Sequence, residues 1–350
     1  MSMKGNVTDC DSLFVDSHHC SATAYNCVAD DHVFDNHRCV LGKWVAFMLT
    51  VGQEGAPIIE INSDSDIRAV EFAANGEYLV SGGSEGVRVW RVDKQLATLE
   101  ADDVRCLAVS KDGSWIAAGT IHSAVIVWDA TFRKVFSHRE DGDTINAVDF
   151  SPDSTRLVYA SDDGTASIWD IATRKRVQTP PHPPWPIAAR YSPQGDRIAT
   201  ATPDSIRVWD SNSGRKLVVI KVKVAPLFNT GLLWSNDHLF VVSDRTIEQF
   251  EASTGSAVSE WPVPDTTRFS CIALPRHGEF IAYSTKHSVT FWDTATHTQL
   301  ALIQHPQDIL SIAVSPDDRF LAIGEQGEKI TINGLSGISV SILLVGLWCI

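Results

Sequence analysis

Two stretches of the chain carry residue types that do chemistry. Residues 82–86 read GGSEG, the G-x-S-x-G spacing that sets a nucleophilic serine, here Ser84, on a sharp turn beside an oxyanion hole. That device needs a strand leading into a helix. The residues after Gly86 are VRVW, which alternate at period two and continue as a strand, so GGSEG reads as a hairpin turn. The second group is His18, His19, Cys20, Cys27, His32, His37 and Cys39, all potential metal ligands. Only His32 and His37 stand at a separation that zinc sites use. Gly42-Lys43 is followed by Trp44 rather than the Ser or Thr of a phosphate loop. The expectation is a protein that is not an enzyme, with no metal and no cofactor.

Composition narrows the partners. Asp plus Glu outnumber Lys plus Arg by 43 to 29, a net charge of -14. Such a surface repels phosphate backbones, so nucleic acid is not expected as a partner. The first residues, MSMKGNVTDC, lack the basic start and apolar run of a secretory signal. Four of the seven cysteines fall within the first 39 residues without a paired framework, and they read as reduced thiols of a cytoplasmic or nuclear protein. The apolar end, ISVSILLVGLWCI, is 13 residues long, short of the ~20 that a helical membrane span requires.

The elements behind these stretches repeat. Trp90, Trp128, Trp169, Trp209, Phe250, Trp292 and Asn333 recur at intervals of 38, 41, 40, 41, 42 and 41 residues. One and three residues before each anchor stand apolar side chains such as Val127 and Val125 or Val208 and Ile206, with Gln249 the exception. That period of two marks strands, whereas helical repeats of this length would space apolar residues at 3.6. A turn signal precedes each anchor by 13–15 residues, from Asn75-Gly76 through Asp112-Gly113 to Asp317-Asp318. Each unit reads strand, hairpin, strand, turn, anchor strand and an outer strand such as KLVVIK (216–221). A lone four-stranded sheet leaves a face unburied, so the units must stack around an axis.

SPDSTRLVYASDDGTASIWD (151–170), SPQGDRIATATPDSIRVWD (192–210) and SPDDRFLAIGEQGEKITI (315–332) resemble the WD40-repeat family, and the resemblance extends over residues 57–335. The likeness is greatest to fungal WD40 arrays that stand beside NTPase or helical-repeat domains. It implies an all-β, seven-bladed WD40 β-propeller closed by an N-terminal outer strand, with PIIEIN (57–62) completing the seventh unit. The expected divisions are an irregular N-terminal arm (1–53), the propeller (54–338) and an apolar tail (339–350). The family's buried chain of indole, hydroxyl, imidazole and carboxylate is matched in the fourth unit by Trp209, Thr200, His182 and Asp204. Unit one has Ser81 and Trp90 but Ser63 in place of His, and unit seven has His305 with neither Asp nor Trp.

The loops entering the first three units read SDSD, EADD and EDGD. They set Asp64, Asp66, Glu100, Asp102, Asp103, Asp141 and Asp143 at matched positions and so on one face of the ring. The resemblance adds Asp162 to that face, with Arg68 and Arg105 beside it. One reading is a solvated rim that keeps the protein soluble; the sharper one is a landing site for a partner protein with a basic segment. The resemblance implies a non-catalytic interaction scaffold. The alternative is a sensor or regulatory fragment of a larger NTPase- or helical-repeat-containing protein.

Overall fold

Each repeat builds its own turns before it meets a neighbour. The aspartate that follows the anchor tryptophan folds back on the next residues. Asp129 Oδ1 accepts from the Thr131 amide at 2.8 Å, the Thr131 hydroxyl at 2.6 Å and the Arg133 amide at 3.1 Å. Asp170 holds Thr173 in the same way, and Asp210 holds Ser213. These bonds draw all three carboxyls below their ordinary range. At the preceding hairpin, the Ser151 hydroxyl donates to Asp153 at 2.5 Å and accepts from the Arg156 amide at 2.9 Å. Ser110 with Asp112 and Ser315 with Asp317 repeat the arrangement. Such Asx and Ser turns fix the hairpin without help from the core.

The structure is a computed structural model. It describes residues 57–335 except 64, 74–75, 77, 92–93, 140–142, 181, 183–184, 226–230, 244, 264–269 and 276–277, together with the backbone of four short strands between 28 and 47. Contacts divide the chain into Met1–Gln53 and Glu54–Ile350. The second unit holds seven four-stranded antiparallel sheets, six of them formed from strands consecutive in sequence. It is a seven-bladed, all-β propeller. Blade one is Ile67–Phe72, Leu79–Gly83, Gly86–Arg91 and Lys94–Leu99, from the channel outward. Buried side chains of adjoining blades share clusters, so each sheet covers the next: Trp128 of blade two packs with Val80 and Val89 of blade one, and Trp90 with Ile330 and Ile332 of blade seven. Blades also approach closely where a small residue permits it. A Cβ on Gly119 would lie 2.5 Å from Ile145 Cγ2 of the next blade, and one on Gly324 would lie 2.5 Å from Ile67 Cγ2.

Two sequence expectations are corrected. The arm over 1–53 was expected to be irregular, but Val28–Ala29 pairs with His32–Val33 and Arg38–Leu41 with Trp44–Phe47. In the second pair, Val, Leu, Trp and Phe supply the residue types that favour strands. The fourth blade's polar chain runs only part of its expected course. Trp209 Nε1 donates to Thr200 Oγ1 at 2.9 Å, and Thr200 Oγ1 lies 3.5 Å from Nδ1 of the buried His182. The other neighbour of Nδ1 is Arg207 Nη1 at 3.1 Å, and Nε2 has no hydrogen-bond partner among the described residues. Asp204 is therefore outside the chain. It sits exposed in a turn whose flanking residues, Thr202 and Ser205, bond to each other at 3.0 Å. With a guanidinium where a carboxylate was expected, His182 must offer a lone pair, and burial followed by Arg207 drives its pKa down to about 3.

The closing strand is where the expectation and the structure meet. Lys329–Gly334 pairs antiparallel with Pro57–Asn62, matching Ile330 to Ile61 and Ile332 to Ile59. Ile61 is buried against Ile330, Ile332 and Trp90, worth about 1.5–3 kcal/mol for its side chain alone. Deleting residues 1–53 should leave the melting temperature within about 2 °C of the full chain. Deleting 1–64 should lower it by about 5 °C or more, or cause aggregation through the opened edge. Equal melting of the two truncations would show that the ladder is dispensable.

Candidate partner-binding face

Backbone hydrogen bonds gather the acidic loops onto one end of the ring. The Asp103 amide donates to Ser84 O, the Ile121 amide to Asp103 O, and the Asp162 amide to Thr144 O. The loop entering each blade is thereby stitched to the turn before an anchor strand. Ser84 lies exposed in such a turn, between the strands Leu79–Gly83 and Gly86–Arg91, and not at the entrance to a helix.

The carboxylates of this face are not equivalent. Asp103 takes Arg68 Nη1 on one oxygen at 2.9 Å and His122 Nε2 on the other at 3.2 Å, with its backbone in the left-handed region at φ 47°. Asp162 accepts from Asn146 Nδ2 at 2.5 Å, and the same amide reaches the Pro186 carbonyl at 3.2 Å. Asp103 and Asp162 thus serve local structure. Glu100 stands 3.9 Å from Lys134. Asp102 is exposed, Asp66 and Asp143 are half-buried, and none of the three joins an ion pair with another described residue. Arg105 is half-buried at the start of the second blade's inner strand. Asp64 and Asp141 lie outside the described residues.

Two further features escaped the sequence reading. Trp185, in the loop that enters blade four, is 51% exposed, and the Asn146 bond to its neighbour Pro186 ties that loop to blade three. The other is a ring of seven residues at one register of the inner strands: Glu71, Ala108, Asp149, Arg190, Leu233, Ala273 and Ala313. They line a channel cavity of about 220 Å³. Arg190 donates to the Val148 carbonyl at 3.1 Å, and Asp149 accepts from the Tyr191 amide at 2.7 Å. Burial raises the Glu71 pKa to about 7, against the pull of Arg190 and with a push from Asp149. Burial raises Asp149 too, with Arg190 opposing.

Among the described residues no three His, Cys, Asp or Glu side chains cluster as a metal would need, and the side chains of the His and Cys group of 18–39 fall outside the description. Cys106 and Cys271 are buried, and burial pushes both thiols up to about 12, far from a reactive thiolate. No described helix is long and apolar enough to cross a membrane.

The family description "WD domain, G-beta repeat" matches residues 55–91, 93–129 and 131–170, which are the first three units of the ring. The chain carries WD40 repeats. Over 277 residues this WD40 propeller is 27% identical to periodic tryptophan protein 2 of Arabidopsis thaliana, covering 74% of this chain and 30% of that one. It is 24% identical to the groucho protein of Drosophila melanogaster, with 75% and 38% covered. WD repeat-containing protein 18 of Danio rerio is also 24% identical, with 69% and 63% covered. The WD40 propeller thus spans less than two thirds of the length of each.

The channel ring yields a pH signature. The pKa of folded Glu71 lies above its ordinary value of 4.5, so the stability present below that value is lost as pH rises through about 7. Glu71→Gln should match the parent near pH 4 and exceed it by about 1–3 kcal/mol near pH 8 in urea unfolding. Superimposable pH profiles would mean that channel water solvates the carboxylate fully.

Proposed function

We propose that this protein is a non-catalytic interaction scaffold whose acidic end receives a basic segment of a partner protein. The observation that carries this reading is the convergence, on one end of a rigid ring, of Asp66, Asp102 and Asp143 with the exposed Trp185. Carboxylates steer a cationic segment to the surface, and a large exposed aromatic side chain supplies the contact area on which hot spots are built. The ring itself costs little to order on binding, because its loops are already bonded to their neighbours. Similarity to WD-repeat proteins supports the same general role.

Asp103 belongs to the proposed surface in position but not in availability, since Arg68 and His122 occupy both its oxygens. The informative variant is therefore Asp66→Asn, Asp102→Asn and Asp143→Asn together. With a fluorescent Lys- and Arg-rich peptide as probe, affinity should fall about tenfold or more in that variant and weaken steeply as salt shortens the screening length to ~8 Å. Trp185→Ala should cost a further factor of about ten without changing the salt dependence. Binding indifferent to salt and to both variants would move the functional surface elsewhere.

A further inference from the structure

The seventh blade differs from the others where it meets the sixth. Six blades present an aromatic anchor to the preceding sheet, whereas the register Leu321↔Asn333 puts Asn333 where Ile198↔Trp209 and Leu79↔Trp90 put indoles. The hydroxyl that accepts the indole N–H is also gone. Ile323, opposite Thr331, stands where Thr200 stands opposite Arg207. Beside Asn333 lies a cavity of about 450 Å³, within the ~300–1,000 Å³ of small-ligand sites. His305, Glu325, Thr331 and Asn333 form its walls, and the exposed Glu60 and Gln304 stand at its mouth.

Glu325 is the unusual wall. It is 1% exposed, at the register where blades two and three carry Thr120 and Ser161. Its Oε1 makes no hydrogen bond, and the nearest group able to carry positive charge is His305 Nε2, 3.3 Å away. His305 Nδ1 lies 3.3 Å from the Gln307 carbonyl oxygen, an acceptor that holds the ring proton on Nδ1. Nε2 also lies 3.2 Å from the Thr331 hydroxyl. Lys329 is engaged by Glu60 at 2.7 Å. A buried carboxylate oxygen with no hydrogen-bond donor thus stands in the cavity wall, a need that a charged donor entering the cavity would meet.

We propose that this cavity between blades six and seven binds a guanidinium group. A carboxylate with hydroxyl and amide oxygens beside it suits a planar fork of donors, which loses less hydration on burial than an ammonium. The space is too large, and has too few carboxylates, to seat a bare divalent ion. The group is carried either by a small molecule or by an arginine side chain.

The test is titration calorimetry on the full chain near pH 8, where an ordinary imidazole is neutral. Methylguanidinium is the probe, N-methylurea its uncharged isostere, and a blocked arginine tripeptide the second arm. Saturable binding of methylguanidinium but not of N-methylurea is expected. Glu325→Gln should weaken it by about tenfold or more, and Asn333→Trp, which sets a bulky ring in the cavity wall, should abolish it. Tighter binding of the tripeptide, lost in the same variants, would assign the group to a protein side chain, and the reverse ranking would assign it to a small molecule. Should Glu325→Gln fail to fold, Asn333→Trp alone decides. The proposal is overturned if methylguanidinium does not bind, if N-methylurea binds equally, or if binding survives Asn333→Trp.

Discussion

A single backbone ladder, between Pro57–Asn62 and Lys329–Gly334, closes the ring. Every other sheet is completed by strands that follow one another along the chain, but the seventh must borrow its outer strand from the N-terminal side of the first blade. The ladder removes two open edges at once, and Ile61 carries the join into the core shared by blades seven and one. The acidic end and the channel ring inherit their geometry from that closure. Their residues come from different blades, and only a closed ring holds those blades at fixed angles.

Much of this architecture was legible in the sequence, because its signals are local. Period-two strands, turn residues and anchors each lie within one unit, and the ladder partner followed from counting outer strands. Gln249, the break in the apolar pattern, is accommodated without a change of fold, since Ser259 of the outer strand donates to its Oε1 at 2.6 Å. Side-chain networks were less legible. The departure of Asp204 depends on how tightly Thr202 and Ser205 close a turn and on Arg207 reaching His182, neither of which spacing encodes. Trp185 sits in TPPHPPWPI, where prolines exclude ladder pairing and periodicity is silent. A large apolar residue that cannot join a strand was the available signal. Glu71, Asp149 and Arg190 would have emerged from aligning the inner strands, as polar residues at one shared register.

The carboxylates show how little a net charge of -14 says by itself. Asp129, Asp170 and Asp210 are held below their ordinary range by the amides and hydroxyls of their own turns. Glu71 and Asp149 are pushed the opposite way by the channel wall. Asp103 and Asp162 are spent on neighbouring side chains, and a third set on the same face remains for encounter with a partner. Residue type fixes the available charge, while the number of donors within reach fixes what that charge is for.

The closing ladder also joins protein synthesis to folding. Asn62 and its partner Lys329 are separated by most of the propeller, so the N-terminal strand leaves the ribosome long before the strand it will pair with exists. At roughly 5–20 residues per second, the wait is about 15–50 s. Throughout it, blade one has no seventh blade to cover it and Pro57–Asn62 has no sheet to join. A ribosome that stops early releases an open arc whose unpaired edge distinguishes it from the finished ring.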